Sequence, residues 1–350
     1  MGSMTPTPAK PWIKTPLAFS PALSKAAGCN IFLKLENLQP SGSFKSRGVG
    51  NMMFRALATG PPTQAVHFFC SSGGNAGLAC ATTAAALGCN ATIVVPTTTS
   101  ALMVSKLRSC AAGVNVIQTG ANWAAADGFL RTELLGNTPD GIRAVYVPPF
   151  DHPDIWAGAA TLVDELAEQM AARAEKPVVD AVVCNVGGGG LLNGVLEGLE
   201  ARRMDGVKVL AVETVGAASL YASVQAGELV TLPAITSIAT SLGATRVSEK
   251  TWEWAKRCGA SSGGRLTCST VTDGEAALAC VRFLDDEKVL VEVSCGATVA
   301  TAYNGDLRRY LGKGDSDETW KEKNVVLVVC GGSNVNMDML VKYKETYGGK

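Results

Sequence analysis

Ala181-Val182-Val183-Cys184-Asn185-Val186 runs straight into Gly187-Gly188-Gly189-Gly190 and then Leu191-Leu192-Asn193-Gly194. The reading of this stretch decides the fold. Residues 179–186 are apolar on both faces, which is the pattern of a strand buried inside a sheet. Four glycines remove every Cβ from the turn, and residues 191–202 resume with helical spacing. A strand, a tight turn and a helix make the unit from which open α/β sheets are built. The backbone N–H groups of such a turn can close around an anion, and the following helix adds its positive N-terminal end. A phosphate is the natural guest. The spacing fits neither G-x-G-x-x-G nor G-x-x-x-x-G-K-[ST], which argues against dinucleotides and nucleoside triphosphates. The competing reading is a glycine turn that only lets strand and helix pack closely.

Outward from this unit the same alternation recurs. Residues 65–70, 91–95, 115–118, 207–213 and 325–330 read as strands, and 75–87, 102–112, 123–135 and 159–173 as helices. The class is therefore α/β, with parallel sheets covered by helices on both faces. A turn at Pro148-Pro149 separates the first set of units from the second, so a domain boundary is expected there. The Gly/Ser patch at 261–264 and the hydrophilic segment 312–324 read as surface loops, and residues 1–11 as a polar, Pro-rich lead-in.

Composition narrows the function. Nearly half of the 350 residues are apolar, enough for a buried core in a chain about two domains long. Acidic and basic residues balance at 31 each, and no basic stripe offers itself to nucleic acid or to a membrane surface. The longest apolar stretches are too short to span a bilayer. Eleven scattered cysteines with no C-x-x-C pair and no secretory leader read as free thiols in a cytoplasmic protein. With only His67 and His152 for imidazole chemistry, and no H-E-x-x-H or G-x-S-x-G, zinc hydrolases and serine hydrolases drop out. His67 sits in an apolar strand pattern and reads as a core or edge histidine. A small-molecule ligand fits best.

Two further loops carry chemistry. Ser71-Ser72-Gly73-Gly74-Asn75-Ala76-Gly77 follows the 65–70 strand and opens a helix, and its hydroxyls and N–H groups suit a carboxylate. Asn75 reads equally as an ordinary N-cap. Ser41-Gly42-Ser43-Phe44-Lys45-Ser46-Arg47-Gly48 sets a lysine beside an aromatic among small residues. It is either an exposed surface lysine or one able to form a Schiff base, which needs an amine that loses its proton near neutral pH.

Taken together, these stretches resemble the fold-type II pyridoxal-phosphate enzymes, the tryptophan synthase β-like group. Residues 41–48 look like the family's S-x-S-F-K-x-R-G lysine motif, 71–77 like its S-x-G-N-x-G motif, and 187–190 like its phosphate cradle. Further likeness at 33–37, 91–96, 147–150 and 329–334 extends over nearly the whole chain, and is strongest to the catabolic L-serine/L-threonine dehydratases of the mammalian-liver type. The resemblance implies two open twisted parallel-sheet domains. Residues 1–39 and 147–350 would form a large cofactor-binding domain, and 40–146 a small one. It implies that Lys45 carries pyridoxal 5'-phosphate and acts as the base at the substrate Cα. Phe44 would lie on the cofactor ring, Asn75 at its hydroxyl, and Gly187, Gly188, Gly189 and Gly190 around its phosphate. Ser72, Gly73 and Asn75 would bind substrate.

Cys330 takes the place opposite the pyridine nitrogen in this resemblance. A neutral thiol there makes a weaker electron sink than a carboxylate would, which suits elimination of a β-hydroxyl. The alternative for Cys330 is a small buried hydrophobe. A monovalent cation, potassium, is implied at Glu213 with the carbonyls of Ala217, Leu242 and Ala244. A lone glutamate after a strand otherwise reads as a solvated end. Gly73 stands where the family commonly has alanine, and Ser241 where alanine packs on the ring. With no regulatory domain after Lys350, feedback by isoleucine is not expected, and a homodimer is. Racemisation, β-replacement and a non-catalytic binding role are the other readings.

Overall fold

The computed structural model describes residues 9–61, 64–173, 178–259 and 264–349. The expected lead-in at 1–11 and the Gly/Ser loop at 261–264 lie mostly outside the described residues. In chain order the strands are β1 (Leu17–Phe19), β2 (Asn30–Lys34), β3 (Ala65–Cys70), β4 (Asn90–Val95), β5 (Val114–Gln118), β6 (Ile142–Tyr146), β7 (Ala181–Asn185), β8 (Lys208–Thr214), β9 (Leu266–Val271) and β10 (Asn324–Val328). The chain forms two compact units. The smaller holds the described residues up to Ile13 with Gln39–Ser41 and Lys45–Pro149, and the larger holds Lys14–Leu38, Gly42–Phe44 and the described residues from Phe150 onward.

The smaller unit is built on a four-stranded parallel sheet in the order β5-β4-β3-β6. The chain lays β3, β4 and β5 outward in turn and then returns to place β6 on the other side of β3. The point where strand order reverses is where open α/β sheets leave a crevice beyond their strand ends. Here that point lies between β3 and β6. The helix Asn75–Ala86 is buried along most of its length, consistent with its run of alanines and other small residues.

The larger unit carries a six-stranded sheet, β1-β2-β10-β7-β8-β9. Its strands are parallel except β1, which pairs antiparallel with β2. Strand order reverses between β7 and β10. All five residues of β7 and of β10 are buried, as the two-sided apolar runs require. The helices Pro153–Ala171 and Gly190–Ala201 pack against each other. A Cβ at Gly194 would come within 2.4 Å of Ala159 Cβ, so part of the glycine content does serve close packing.

Several elements differ from expectation. The helix expected at 159–173 begins at Pro153, because His152 caps it by accepting from Asp154 N–H and proline suits a first helical position. The helix expected at 102–112 ends at Arg108. That expected at 123–135 is α-helical over Trp123–Phe129 and widens to a π-helix over Leu130–Leu135. The segment 312–324 is not simply an exposed loop. It contains the helix Asp317–Lys321, capped by Ser316 and anchored by buried Trp320, whose indole N–H donates to the Ala27 carbonyl at 2.9 Å. The cysteines are free thiols. Among the described residues, no helix is long and apolar enough to cross a membrane.

Candidate functional site

In the larger unit the glycine turn follows β7 at the switch point. Gly189 has φ +98°, a conformation that suits glycine, and a Cβ there would lie 1.8 Å from Thr251 Oγ1. A Cβ at Gly188 would enter the Phe150 ring at 2.3 Å. Packing therefore explains the missing side chains on one surface of the turn. The other surface is different. Gly188, Gly189 and Gly190 are buried, yet among the described residues no hydrogen bond is donated by the N–H of Gly187, Gly188, Gly189 or Gly190. Buried backbone donors are almost always paired. Converging unpaired N–H groups at a helix N-terminus fit a phosphate-sized anion. The turn is braced from behind: Ser248 N–H donates to Gly188 O at 3.0 Å, and Asn193, Ser248 and Thr251 bond one another through their side chains.

Beyond β10, on the other side of the same switch point, Val329 N–H still donates to Lys34 O of β2 at 3.0 Å, and residues 330–332 then leave the ladder. They pair instead with distant parts of the chain. Asn37 N–H donates to Val329 O and Phe44 N–H to Cys330 O, each at 3.1 Å, and Ser43 bridges to Gly331. The structure thus brings Phe44 and Cys330 together. The Cys330 Sγ is buried and accepts from Asn185 Nδ2 at 3.1 Å, while the same amide group donates to Ser294 O at 2.6 Å. A hydrogen bond with Cys295, burial, and the charge of Glu292 hold the Cys330 thiol well above its ordinary value. These effects favour the thiol over the thiolate. Asn185 and Glu292 were missed from sequence, although an asparagine closing an apolar strand just before the four glycines is a signal in its own right.

Glu213 is not a solvated strand end. It is 1 % exposed, and its two carboxylate oxygens accept from the N–H groups of Leu220 at 2.9 Å and Tyr221 at 2.7 Å, at the start of the helix Ser219–Ala226. Burial pushes this carboxyl up to about 8, against the lowering effect of the two backbone bonds. Nearby in sequence, the buried Ser219 hydroxyl has no hydrogen-bond partner among the described residues. Ala217 and Leu242 are buried, and Ala244 follows two residues after Leu242. The Leu242 carbonyl accepts from Ala244 N–H at 2.7 Å. A Cβ on Gly187 would sit 3.2 Å from Leu242 Cα and 3.3 Å from Ser241 O, so this segment packs on the glycine turn. No group of three or more His, Cys, Asp or Glu side chains arranged for a metal occurs among the described residues.

In the smaller unit, Lys45 is the first residue of the helix Lys45–Ala58 and is half-buried. Its Nζ donates to Pro149 O at 2.5 Å, just past the end of β6. The 71–77 loop leaves β3 at the same switch point. Asn75 is not the cap of its helix. That position is Gly74, whose N–H is bonded to Ser72 Oγ at 3.3 Å, which leaves the buried Asn75 as the first helical residue. The N–H groups of Ser72, Gly73, Ala76 and Gly77 donate no hydrogen bond among the described residues, as an anion-binding helix start requires. A Cβ at Gly73 would lie 2.7 Å from the side chain of Thr99, so an alanine at this position would have to displace that side chain. His67, by contrast, is structural: it bonds Thr92 Oγ1 at 2.8 Å, stacks on Phe69, and has its pKa lowered by burial.

Two units on mainly parallel sheets, each with a donor-rich loop at its switch point and one with a lysine there, fit the class of enzymes that hold a phosphate-bearing cofactor. The comparison with known families agrees. Residues 9–331 match the family described as pyridoxal-phosphate dependent enzyme, and the chain belongs to it. Among curated relatives it is 42 % identical to the bovine L-serine dehydratase/L-threonine deaminase, over 96 % of both chains. It is 45 % identical to the serine dehydratase-like protein of the rat, over 94 % of this chain and 93 % of that one. Among solved structures, a fungal L-serine ammonia-lyase from Rhizomucor miehei superposes with a TM-score of 0.84 at 37 % identity, covering 97 % of this chain and all of the other.

Proposed function

We propose that the protein is a pyridoxal-phosphate-dependent ammonia-lyase that dehydrates L-serine, and L-threonine, to pyruvate or 2-oxobutyrate with release of ammonia. The observation that carries the reading is the buried Cys330, whose Sγ accepts from Asn185 Nδ2 and whose carbonyl accepts from Phe44 N–H beside the glycine turn's switch point. When bound, the cofactor supplies the electron sink that lets the substrate Cα–H bond break. The chain's residues do the rest. Lys45 Nζ holds the cofactor and later takes the Cα proton. The N–H groups of Gly187, Gly188, Gly189 and Gly190 would bind the phosphate, Phe44 would cover the ring, and Asn75 would hold its hydroxyl. Ser72 and Gly73, with the N–H groups that follow them, hold the substrate carboxylate. If, as the resemblance implies, Cys330 faces the cofactor's ring nitrogen, its thiol would offer no negative charge to hold a proton there. Charge developing at Cα would then be relieved by cleavage of the Cβ–O bond, the hydroxyl leaving with a proton as water, so that the proton taken by Lys45 and the departing hydroxide together amount to one water. The glycine turn, Phe44 and Cys330 belong to the larger unit, and Lys45 and the carboxylate loop to the smaller, whose bounds depart from the expected 40–146 by taking in the described residues up to Ile13 and giving up Gly42–Phe44.

A monovalent cation such as potassium belongs to the same proposal. The buried Glu213 carboxylate and the unpartnered Ser219 hydroxyl support it, with carbonyls from Ala217, Leu242 and Ala244 as further ligands. A cation there would compensate a charge that burial otherwise disfavours. Likeness to the family supports a cytoplasmic homodimer.

The test is keto acid and ammonia release from L-serine and L-threonine by the cofactor-loaded protein. Lys45→Ala is expected to lower the rate by at least about 10²–10⁴-fold, the usual worth of a positioned base. Absence of keto acid from both substrates would overturn the reading, and D-serine in the same mixture would replace it with racemisation.

A further inference from the structure

The helix Trp123–Phe129 carries a carboxylate, Asp127, that is only 8 % exposed. Its Oδ1 accepts from the hydroxyl of Ser71 and, at 2.7 Å, from that of Tyr146, while Oδ2 accepts from Arg131 Nε at 2.7 Å. Burial by itself pushes this carboxyl up, but the bonds from Ser71, Arg131 and Tyr146 outweigh burial and hold it below its ordinary value. One turn earlier on the helix, Trp123 Nε1 donates to the Ser71 carbonyl at 2.7 Å. The two polar ends of Ser71 are therefore gripped by one helix.

Packing alone does not call for this arrangement. Ala126 and Leu130 beside Asp127 already join the apolar core, and burying a carboxylate is costly unless its bonds are used. Apart from Arg131 on its own helix, the groups it holds are Ser71 and Tyr146. These stand at the ends of the neighbouring strands β3 and β6, at the switch point of the smaller unit. Fixing Ser71 has a direct consequence. The peptide unit is planar and trans, so a Ser71 carbonyl turned toward Trp123 sends the Ser72 N–H the opposite way. That N–H is the first of the 71–77 loop, whose donors at Ser72, Gly73, Ala76 and Gly77 have no acceptor among the described residues.

We propose that Asp127 and Trp123 are positioning residues for the substrate: by clamping Ser71 they preset the N–H groups of the 72–77 loop for the substrate carboxylate. The proposal rests on the function proposed above, which assigns the carboxylate to that loop. Neither residue need touch substrate or cofactor.

The test compares cofactor-loaded wild type, Asp127→Asn and Trp123→Phe. Each is titrated with glycine, which has an amine and a carboxylate, and with ethanolamine, which lacks the carboxylate, following the cofactor's visible band. Both variants are expected to weaken glycine about three- to tenfold, the worth of a misdirected hydrogen-bonding group, and to leave ethanolamine unchanged. The KM for L-serine should rise in step while kcat changes less, the pattern of lost ground-state binding. Trp123 is 49 % exposed, so Trp123→Phe keeps the ring and the fold while removing only the donor. Unchanged glycine affinity in both variants overturns the clamp. So does equal weakening of glycine and ethanolamine, which marks a merely structural role. If wild type yields no keto acid, the glycine and ethanolamine titrations still read the loop, and a wild type that binds both alike overturns the clamp as well.

Discussion

A methyl group at position 189 separates the two readings of the glycine turn. The left-handed backbone at Gly189 costs an L-residue about 1–2 kcal/mol, and a methyl driven against Thr251 adds about 1–3 kcal/mol of overpacking. Gly189→Ala is therefore expected to lose about 2–5 kcal/mol in urea denaturation, together with affinity for inorganic phosphate. Loss of stability with phosphate affinity intact would leave packing as the glycine's sole role. At this scale the sequence was only partly legible. The run of four glycines announces an anion seat, whereas what lies behind it, Phe150 and Thr251, is remote in sequence. Asn75 had two roles open, and the choice of Gly74 as cap removed one of them. Asp127 gave no sign at all, because a lone aspartate among alanines looks like one more solvated residue until Ser71 and Tyr146 are brought to it.

At the scale of the element, the strand–helix joint from β8 into Ser219–Ala226 makes Glu213 a titrating part of the fold. Its folded pKa lies near 8, above the ordinary value of 4.5. On raising the pH the unfolded chain therefore releases this proton first, and the folded chain keeps it until about 8. The stability linked to this group is fully present below 4.5 and is lost as pH rises toward 8. With a bulky organic cation as the sole monovalent ion, urea midpoints should fall across that window, and Glu213→Gln should flatten the fall. Potassium should reduce it in wild type and do nothing in the variant; an equal potassium response in both would exclude Glu213 as a ligand. The helix Asp317–Lys321 carries another prediction. Trp320→Ala empties a buried site and frees the Ala27 carbonyl, so it should cost about 3–5 kcal/mol by denaturant titration. A cost below 1 kcal/mol, the usual size of surface changes, would return the segment to loop status. Its charged neighbours hid it: polarity over thirteen residues outweighs one tryptophan in a sequence reading, but one buried indole is enough to pin a short helix.

For the whole molecule, the recurring alternation of buried strand and helix made the α/β class readable before any coordinates. The bound cofactor should also be legible in global stability. At about a hundredfold excess over its Kd, a ligand specific for the folded state adds about 2.7 kcal/mol, so stripping the cofactor should lower the Tm by a few degrees and reloading should restore it. Inorganic phosphate alone should raise the Tm of the stripped protein, equally in wild type and Lys45→Ala, because it needs only the glycine turn. A phosphate effect that vanishes in Lys45→Ala would place the phosphate elsewhere. By itself the sequence determined the class of fold, which local periodicity carries, and the family, through the resemblance of its short motifs to known ones. Only the tertiary structure decided the strand orders 5-4-3-6 and 1-2-10-7-8-9, and with them the two switch points. It also decided which loop N–H groups are left without an acceptor among the described residues, the burial of Cys330 against Asn185 and the burial of Glu213. Those properties depend on which distant segments pack together and on how much water they exclude, and no local pattern encodes that.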